Sequence, residues 1–251
     1  MKLPLLLFTG VALIGAADNP FAGKWKLDPE KSDFAGTTIR FEPAENGGIR
    51  YTKGMSYVFR TDGGAAPGFF GRTISFRQLS PDKWERVTSF AGRTLNRATF
   101  VVDKNDLTVT LKGTKPNGVA FENEMEYERQ GAGDHLMGTW RRTSLTESAP
   151  DTIEFTPGPD NRFTYRDLDA QTECEAALDG RDYPLKGPEI PVGLTLAFTR
   201  SGDRAIEVNT KLRGDPVLRA VYTVASDGKT LIENASRLAA NEPIRAVYVR
   251  P

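Results

Sequence analysis

Cysteine and histidine are almost missing from this chain, which has one of each among 251 residues. Zinc clusters, iron–sulfur clusters and disulfide frameworks need several such residues, so these classes are excluded. An excess of positive charge is also lacking, because 33 Lys and Arg balance 33 Asp and Glu. A nucleic-acid-binding protein normally carries a basic surface. We therefore expect no nucleic-acid partner, no metal and no cofactor.

Long hydrophobic runs are missing except at the start of the chain. Leu3–Ile14 is apolar, follows the single charge of Met1–Lys2, and precedes the small residues Gly15–Ala17. This order is typical of a secretory signal peptide, and the run is shorter than the roughly 20 residues of a membrane-spanning helix. An uncleaved anchor is the alternative. We expect a signal peptide at 1–17, a periplasmic or secreted protein, and no stable membrane insertion after cleavage.

An internal repeat covers most of the remaining chain. The matching segments are Gly23–Trp25 with Gly138–Trp140, Gly92–Thr110 with Gly214–Ile232 without gaps, and Met125–Arg129 with Ala246–Arg250. The order of the segments is the same in both copies. The repeat predicts two tandem domains, 18–131 and 134–251, with Gln130–Asp134 as a flexible linker.

Within each copy, apolar and polar residues alternate with a period of two. Thr73–Arg77, Leu107–Leu111 and Leu194–Phe198 show the pattern, and Gly-, Asn- and Asp-rich turns separate such segments. Alternation indicates half-buried strands, about eight or nine in each copy. No helical periodicity is convincing outside the signal peptide. The sequence thus predicts an all-β fold of two tandem antiparallel up-and-down barrels, since closure removes exposed strand edges.

The last strand of each copy ends in an arginine. Alternation places Arg129 on the inward face of its strand, and Arg250 ends the equivalent face in the second copy. An inward guanidinium needs a partner because an unpaired buried charge is costly. A Trp ring supplies one, worth about 0.5–2 kcal/mol. We expect Arg129 to stack on Trp25, and Arg250 on Trp140, each on the first strand of its own copy.

These residues resemble the lipocalin-like β-barrels. That family has Gly-x-Trp on its first strand, and an Arg of the last strand packs across the Trp at the closed end. Gly23–Ser32, Asp179–Pro184 and Ser226–Thr230 are also similar to small secreted lipocalin-like domains of bacteria. The copies are shorter than typical animal lipocalins and lack a Thr-Asp-x-x-Tyr element and a helix after the last strand. The resemblance implies barrels that hold a small ligand or are filled by their own side chains.

A monomer that binds a small apolar molecule in one or both barrels is the leading functional hypothesis. The candidate lining residues are aromatic residues expected to face inward, and plain core packing is the alternative role for them. They are Phe76, Phe90 and Phe100 in the first copy and Tyr165, Phe198 and Tyr222 in the second.

Two other functions remain open at this stage. Filled barrels would favour a cell-envelope interaction protein with a protein or glycan partner. An enzyme would have to use carboxylates such as Glu173 and Glu175, which flank Cys174, because no Gly-x-Ser-x-Gly motif is present. We expect solvated glutamates, a structural Cys174 and a surface His135, and hence no catalytic residue.

Overall fold

The computed structural model describes residues 19–251 except 35, 54, 161 and 238–241, so the expected signal peptide at 1–17 lies outside the described residues. The described chain forms twenty strands and two single-turn 3₁₀ helices, Glu45–Gly47 and Phe69–Gly71. None of its helices is long and apolar enough to cross a membrane. The strands build two antiparallel ten-stranded sheets, each curled into a nearly closed barrel. The expected all-β class with two antiparallel barrels is confirmed.

The first barrel consists of ten strands that follow one another along the chain. They are β2 (Thr38–Pro43), β3 (Ile49–Lys53), β4 (Met55–Phe59), β5 (Asp62–Pro67), β6 (Thr73–Ser80), β7 (Lys83–Phe90), β8 (Arg93–Asp103), β9 (Asp106–Thr114), β10 (Ala120–Gln130) and β11 (Gly138–Glu147). The two edges of the sheet are β4 and β5, while β11 pairs with both β10 and β2. The barrel is therefore an up-and-down meander.

The second barrel combines nine consecutive strands with the first strand of the chain. They are β1 (Gly23–Leu27), β12 (Thr152–Pro157), β13 (Arg162–Asp167), β14 (Thr172–Ala177), β15 (Asp179–Pro184), β16 (Leu194–Gly202), β17 (Ala205–Leu212), β18 (Asp215–Val224), β19 (Thr230–Arg237) and β20 (Glu242–Val249). β1 lies between β20 and β12. An isolated bridge joins Glu173 of the edge strand β14 to Lys186, just after the other edge strand β15.

The first strand of each sequence copy thus lies in the barrel of the other copy. The barrels differ at this point from the expected domains 18–131 and 134–251, because β1 belongs to the second sheet and β11 to the first. Gln130–Asp134 was expected to join two domains, but it ends β10 and begins the connection to β11 within one barrel. The loop between β10 and β11 is short, so their pairing costs less closure entropy than pairing with a distant strand.

Two chain crossings join the barrels, from β1 to β2 and from β11 to β12. The first crossing is held along its length by backbone contacts. Asp33 forms an isolated bridge with Arg245 of β20. The Gly36 N–H donates to the Arg142 carbonyl of β11 at 2.9 Å. The first crossing follows β1 and the second follows β11, which are the two exchanged strands. Both crossings therefore tie the two barrels together.

Aromatic rings fill the first barrel. The rings of Phe59 and Phe76 stack with centroids 4.2 Å apart, and Phe76 and Phe100 lie 5.3 Å apart. All three side chains are fully buried. Phe69, from the 3₁₀ turn between β5 and β6, packs edge-on against Tyr57 at 4.9 Å. The interior of this barrel is a conventional packed core.

Candidate functional site

One end of each barrel is sealed by an arginine stacked on a tryptophan. The Arg129 guanidinium lies 3.9 Å from the Trp140 ring centroid, and Arg250 lies 4.0 Å from that of Trp25. We expected Arg129 with Trp25 and Arg250 with Trp140, and this pairing was wrong. The partners are exchanged because β1 and β11 are exchanged between the barrels.

Hydrogen bonds fix the same geometry at both sealed ends. Each indole N–H donates to the carbonyl four residues earlier, from Trp25 to Phe21 at 2.8 Å and from Trp140 to Leu136 at 2.9 Å. The Arg250 guanidinium donates to loop carbonyls, including that of Ala22 at 2.7 Å. Gly23 has a φ of +108°, and a Cβ there would lie 2.7 Å from Arg250 Nη1. The glycine of Gly-x-Trp therefore makes room for the guanidinium.

The three candidate lining residues of the first barrel do not line a common cavity. Phe76 and Phe100 are fully buried in the aromatic core. Phe90 is half-buried at the far end of β7, beside Pro116 and Pro188 in a surface depression. Phe76 and Phe100 thus pack in the core, whereas Phe90 lies outside it.

The three candidates of the second barrel, in contrast, lie together around a cavity of about 350 Å³. This volume is at the lower end of the range for small-molecule sites. Tyr165 comes from β13, Phe198 from β16 and Tyr222 from β18. The other lining residues are Asp151, Ile153, Asp167, Ala170, Thr172, Leu185, Ile190, Leu196, Val208, Thr210, Leu218, Ala220, Glu233 and Tyr248.

The strand registers show which inward side chains differ between the two barrels. Tyr51 pairs with Tyr57 in the first barrel, and at the corresponding place in the second barrel Tyr165 pairs with Cys174. One pair further along, Ile49 faces Phe59 in the first barrel, whereas Ala176 stands at the position of that phenylalanine in the second. Two large rings are thus replaced by small side chains on β14, while Phe163 on β13 takes the place of Ile49.

A third replacement lies on the cavity wall. Phe76 pairs with Arg86 in the first barrel, whereas Phe198 pairs with Val208 in the second. The Arg86 guanidinium lies 5.6 Å from the Phe100 ring centroid and so takes up interior space. Val208 lines the cavity and leaves that space open.

A carboxyl group and three phenols form a hydrogen-bonded cluster in the cavity wall. Tyr248 donates its hydroxyl proton to Glu233 Oε2 at 3.0 Å. Tyr222 is also hydrogen-bonded to Glu233, and Tyr165 to Tyr222. Burial is the main cause that raises the pKa of Glu233 and of all three tyrosines. The phenols remain protonated hydrogen-bond donors at neutral pH.

Sequence reasoning missed Glu233 and Tyr248 as lining residues. The gapless alignment of Gly92–Thr110 on Gly214–Ile232 was wrong beyond β18, because the turn before β19 is longer than its counterpart before β9. Leu107 faces Val102 as Leu231 faces Val224. In this register Glu233 stands where the first barrel has Val109. The second barrel therefore carries a polar residue on the inward face of β19.

Three aspartates cluster beside the cavity, and two of them, Asp151 and Asp167, line it. Asp151, Asp167 and Asp169 bring one carboxylate oxygen each within 4.8 Å of one another. Lys115 of the first barrel extends its ammonium group to Asp151 and, at 3.9 Å, to Asp169. The Asn117 amide also donates to Asp169 at 2.9 Å. Lys115 supplies the positive charge of this cluster. The cluster, which we call the rim of the cavity, is therefore an ionic contact between the barrels.

The carboxylates considered for catalysis lie outside the cavity. Glu173 pairs with Arg166 at 2.8 Å, and Glu175 is exposed on the outer face of β14. Between them, Cys174 is buried, and burial raises its thiol pKa to about 11. The exposed His135 ring forms a hydrogen bond to the Asp82 carboxylate at 2.8 Å.

No protein-family model, curated protein or solved structure matches this chain. The geometry of the described residues therefore carries the functional argument on its own.

Proposed function

We propose that this protein is an exported, monomeric, lipocalin-like binding protein that holds a small, largely apolar ligand in its second barrel. The observation that carries the proposal is the cavity of about 350 Å³ in the second barrel, whereas the corresponding interior of the first barrel is packed with the rings of Phe59, Phe76 and Phe100. Its walls combine aliphatic side chains with a few convergent polar groups, which is typical of small-molecule sites.

The difference between the two barrels supports a binding role for the second. Both close with the same Trp–Arg stack and share the same strand registers. A barrel of this type therefore folds with side chains packed in its interior, as the first barrel does. Open space in a core costs packing energy, so a cavity kept in one copy favours a ligand. The apolar run at Leu3–Ile14 supports export.

Native mass spectrometry of the full-length product, expressed with its N-terminal segment, tests the proposal. We expect a bound small molecule that is released on denaturation. The variant Val208→Phe would fill the cavity from β17, and we expect it to abolish the added mass. The matched control is Val101→Phe on β8, an exposed residue of the first barrel. A ligand that stays bound to the Val208→Phe protein would contradict the proposed site.

A further inference from the structure

The cavity of the second barrel is lined by acidic groups without basic ones. Asp151, Asp167 and Glu233 contribute carboxyl groups, and no Lys, Arg or His is among the lining residues that the structure describes. In a low-dielectric interior, such an arrangement creates a negative potential that is weakly screened. The charge distribution favours a cation inside the cavity.

Two of the three carboxyl groups already have partners at the rim. Asp151 has the Lys115 ammonium group. Asp167 accepts two backbone N–H groups, from Asp169 at 3.0 Å and Ala170 at 2.9 Å. Asp151 therefore has a counter-charge, whereas Asp167 has only neutral donors and burial raises its pKa.

Glu233 has phenols as its hydrogen-bond partners. Tyr248 and Tyr222 satisfy part of its hydrogen-bonding capacity, but neutral hydroxyls supply no counter-charge. Among the described residues, no Lys, Arg or His forms an ion pair with Glu233. A buried carboxylate without a cation is costly.

The barrel does not need an acid at this position in order to fold. Val109 occupies the equivalent place in the first barrel, where it is buried and faces Phe100. The second barrel carries Glu233 facing Tyr222 instead. A costly polar group on an otherwise apolar inward face points to function.

We propose that the second barrel selects a small organic monocation, an amine or alkylammonium group carried by an apolar or aromatic body. The inference rests on the proposed function and specifies its ligand class. The ammonium group pairs with Glu233, between the hydroxyls of Tyr222 and Tyr248. The body lies against the aliphatic and aromatic wall formed by Leu196, Phe198 and Val208.

The tyrosine rings add to the selection. Aromatic faces attract cations, more strongly where both are desolvated, and Tyr165 and Tyr222 both line the cavity. A carboxylate ligand is disfavoured, because its negative charge would lie beside Glu233 and no basic group lines the cavity among the described residues. The site should therefore reject anions of the same shape.

Three probes of nearly equal shape test the inference by isothermal titration calorimetry on the full-length protein. They are 2-phenylethylamine, the neutral 2-phenylethanol and the anionic phenylacetate. At neutral pH we expect the amine to bind at least about tenfold more tightly than the alcohol, and phenylacetate more weakly than either.

The variant Glu233→Gln removes the charge and keeps the shape of the side chain. We expect it to cancel the preference for the amine while leaving the affinity for 2-phenylethanol within about twofold. The matched control is Glu175→Gln on the outer face of the same barrel, where the side chain is exposed. It should keep the preference of the original protein.

The pH profile gives a second readout. Burial raises the pKa of Glu233, so amine affinity should fall as the pH drops through that pKa, whereas alcohol affinity should not. The titratable groups that face Glu233 are Tyr222 on β18, Tyr248 on β20 and Tyr165 on β13, with Asp151 and Asp167 at the rim. The phenols stay protonated throughout this range.

The outcomes separate the two proposals. Equal binding of amine and alcohol, or an amine preference that persists in Glu233→Gln, overturns the cation inference and leaves the binding function standing. Failure of all three probes to bind, with no ligand in native mass spectrometry, overturns both.

Discussion

Trp25 and Trp140 are fully buried and each carries an arginine on its ring. Trp→Ala at either position removes a large core side chain and leaves a cavity, with an expected loss of about 3–5 kcal/mol in unfolding free energy. Because β1 lies in the second barrel, Trp25→Ala should loosen that barrel and Trp140→Ala the first.

Hydrogen exchange followed by mass spectrometry locates each effect. We expect faster exchange in β12 and β20 for Trp25→Ala, and in β2 and β10 for Trp140→Ala. Faster exchange in β2 and β10 for Trp25→Ala would contradict the strand exchange.

Glu233 should make the unliganded protein less stable as the pH rises. Its pKa is raised by burial in the folded state, so the folded protein holds the proton more tightly than the unfolded chain. The contribution of this group to stability is full below the unfolded pKa and is lost as the pH rises through the folded pKa. Glu233→Gln has no such proton to lose.

Urea unfolding at about pH 4 and about pH 8 measures this difference. We expect Glu233→Gln to gain stability relative to the original protein at the higher pH, while Glu175→Gln behaves like the original. An identical pH dependence in the original protein and Glu233→Gln would show that the carboxyl group is not buried as described.

At the scale of strands, β11 is twice as long as β1, with 10 residues against 5. β11 pairs with β10 along most of its length and with β2 near its start. A fragment of residues 36–149 contains all ten strands of the first barrel and should fold alone. The fragment 18–131 lacks β11, and β1 is too short to replace all of that pairing.

Thermal unfolding monitored by circular dichroism compares the two fragments. We expect a cooperative transition for 36–149 and a lower or broader one for 18–131. If 18–131 were the more stable fragment, the folding unit would be the sequence copy 18–131 rather than the barrel formed by β2–β11.

Periodicity predicted the strands well because alternation reports directly on which side chains face the core. The last strand of the first copy follows its prediction, with Tyr127 and Arg129 buried and Glu122 and Glu124 exposed. The exchange of β1 and β11 could not be predicted in this way. Both copies present the same Gly-x-Trp segment to the same kind of neighbours, so local pattern is identical in the exchanged and unexchanged arrangements.

The candidate site was predictable in part for a similar reason. Aromatic residues at inward positions were identified in both copies, but alternation cannot distinguish a ring that fills a core from one that lines a cavity. That difference depends on the total volume of the inward side chains. At the cavity wall, for example, Val208 stands where the first barrel has Arg86. Glu233 was missed because the alignment slipped at the turn before β19.

For the whole molecule, cutting the loop after β10 should not separate the two halves. A protease site placed at 131–134 would divide the chain into a part with β1–β10 and a part with β11–β20. Each part holds one strand of the other part's barrel, so we expect the nicked protein to stay associated without denaturant.

Size-exclusion chromatography and denaturing electrophoresis of the nicked protein test this expectation together. One native peak containing both fragments agrees with the exchange. Two separate native peaks would indicate independent tandem barrels.

The place of β1 also sets an order of events during synthesis. The first barrel can close as soon as β11 has left the ribosome, since all ten of its strands are then present. β1 is made before any of them, yet it also pairs with β20, the last strand of the described chain. The earliest strand must therefore wait for the last one, and a chain released before its end leaves a Trp-bearing edge unpaired and open to aggregation.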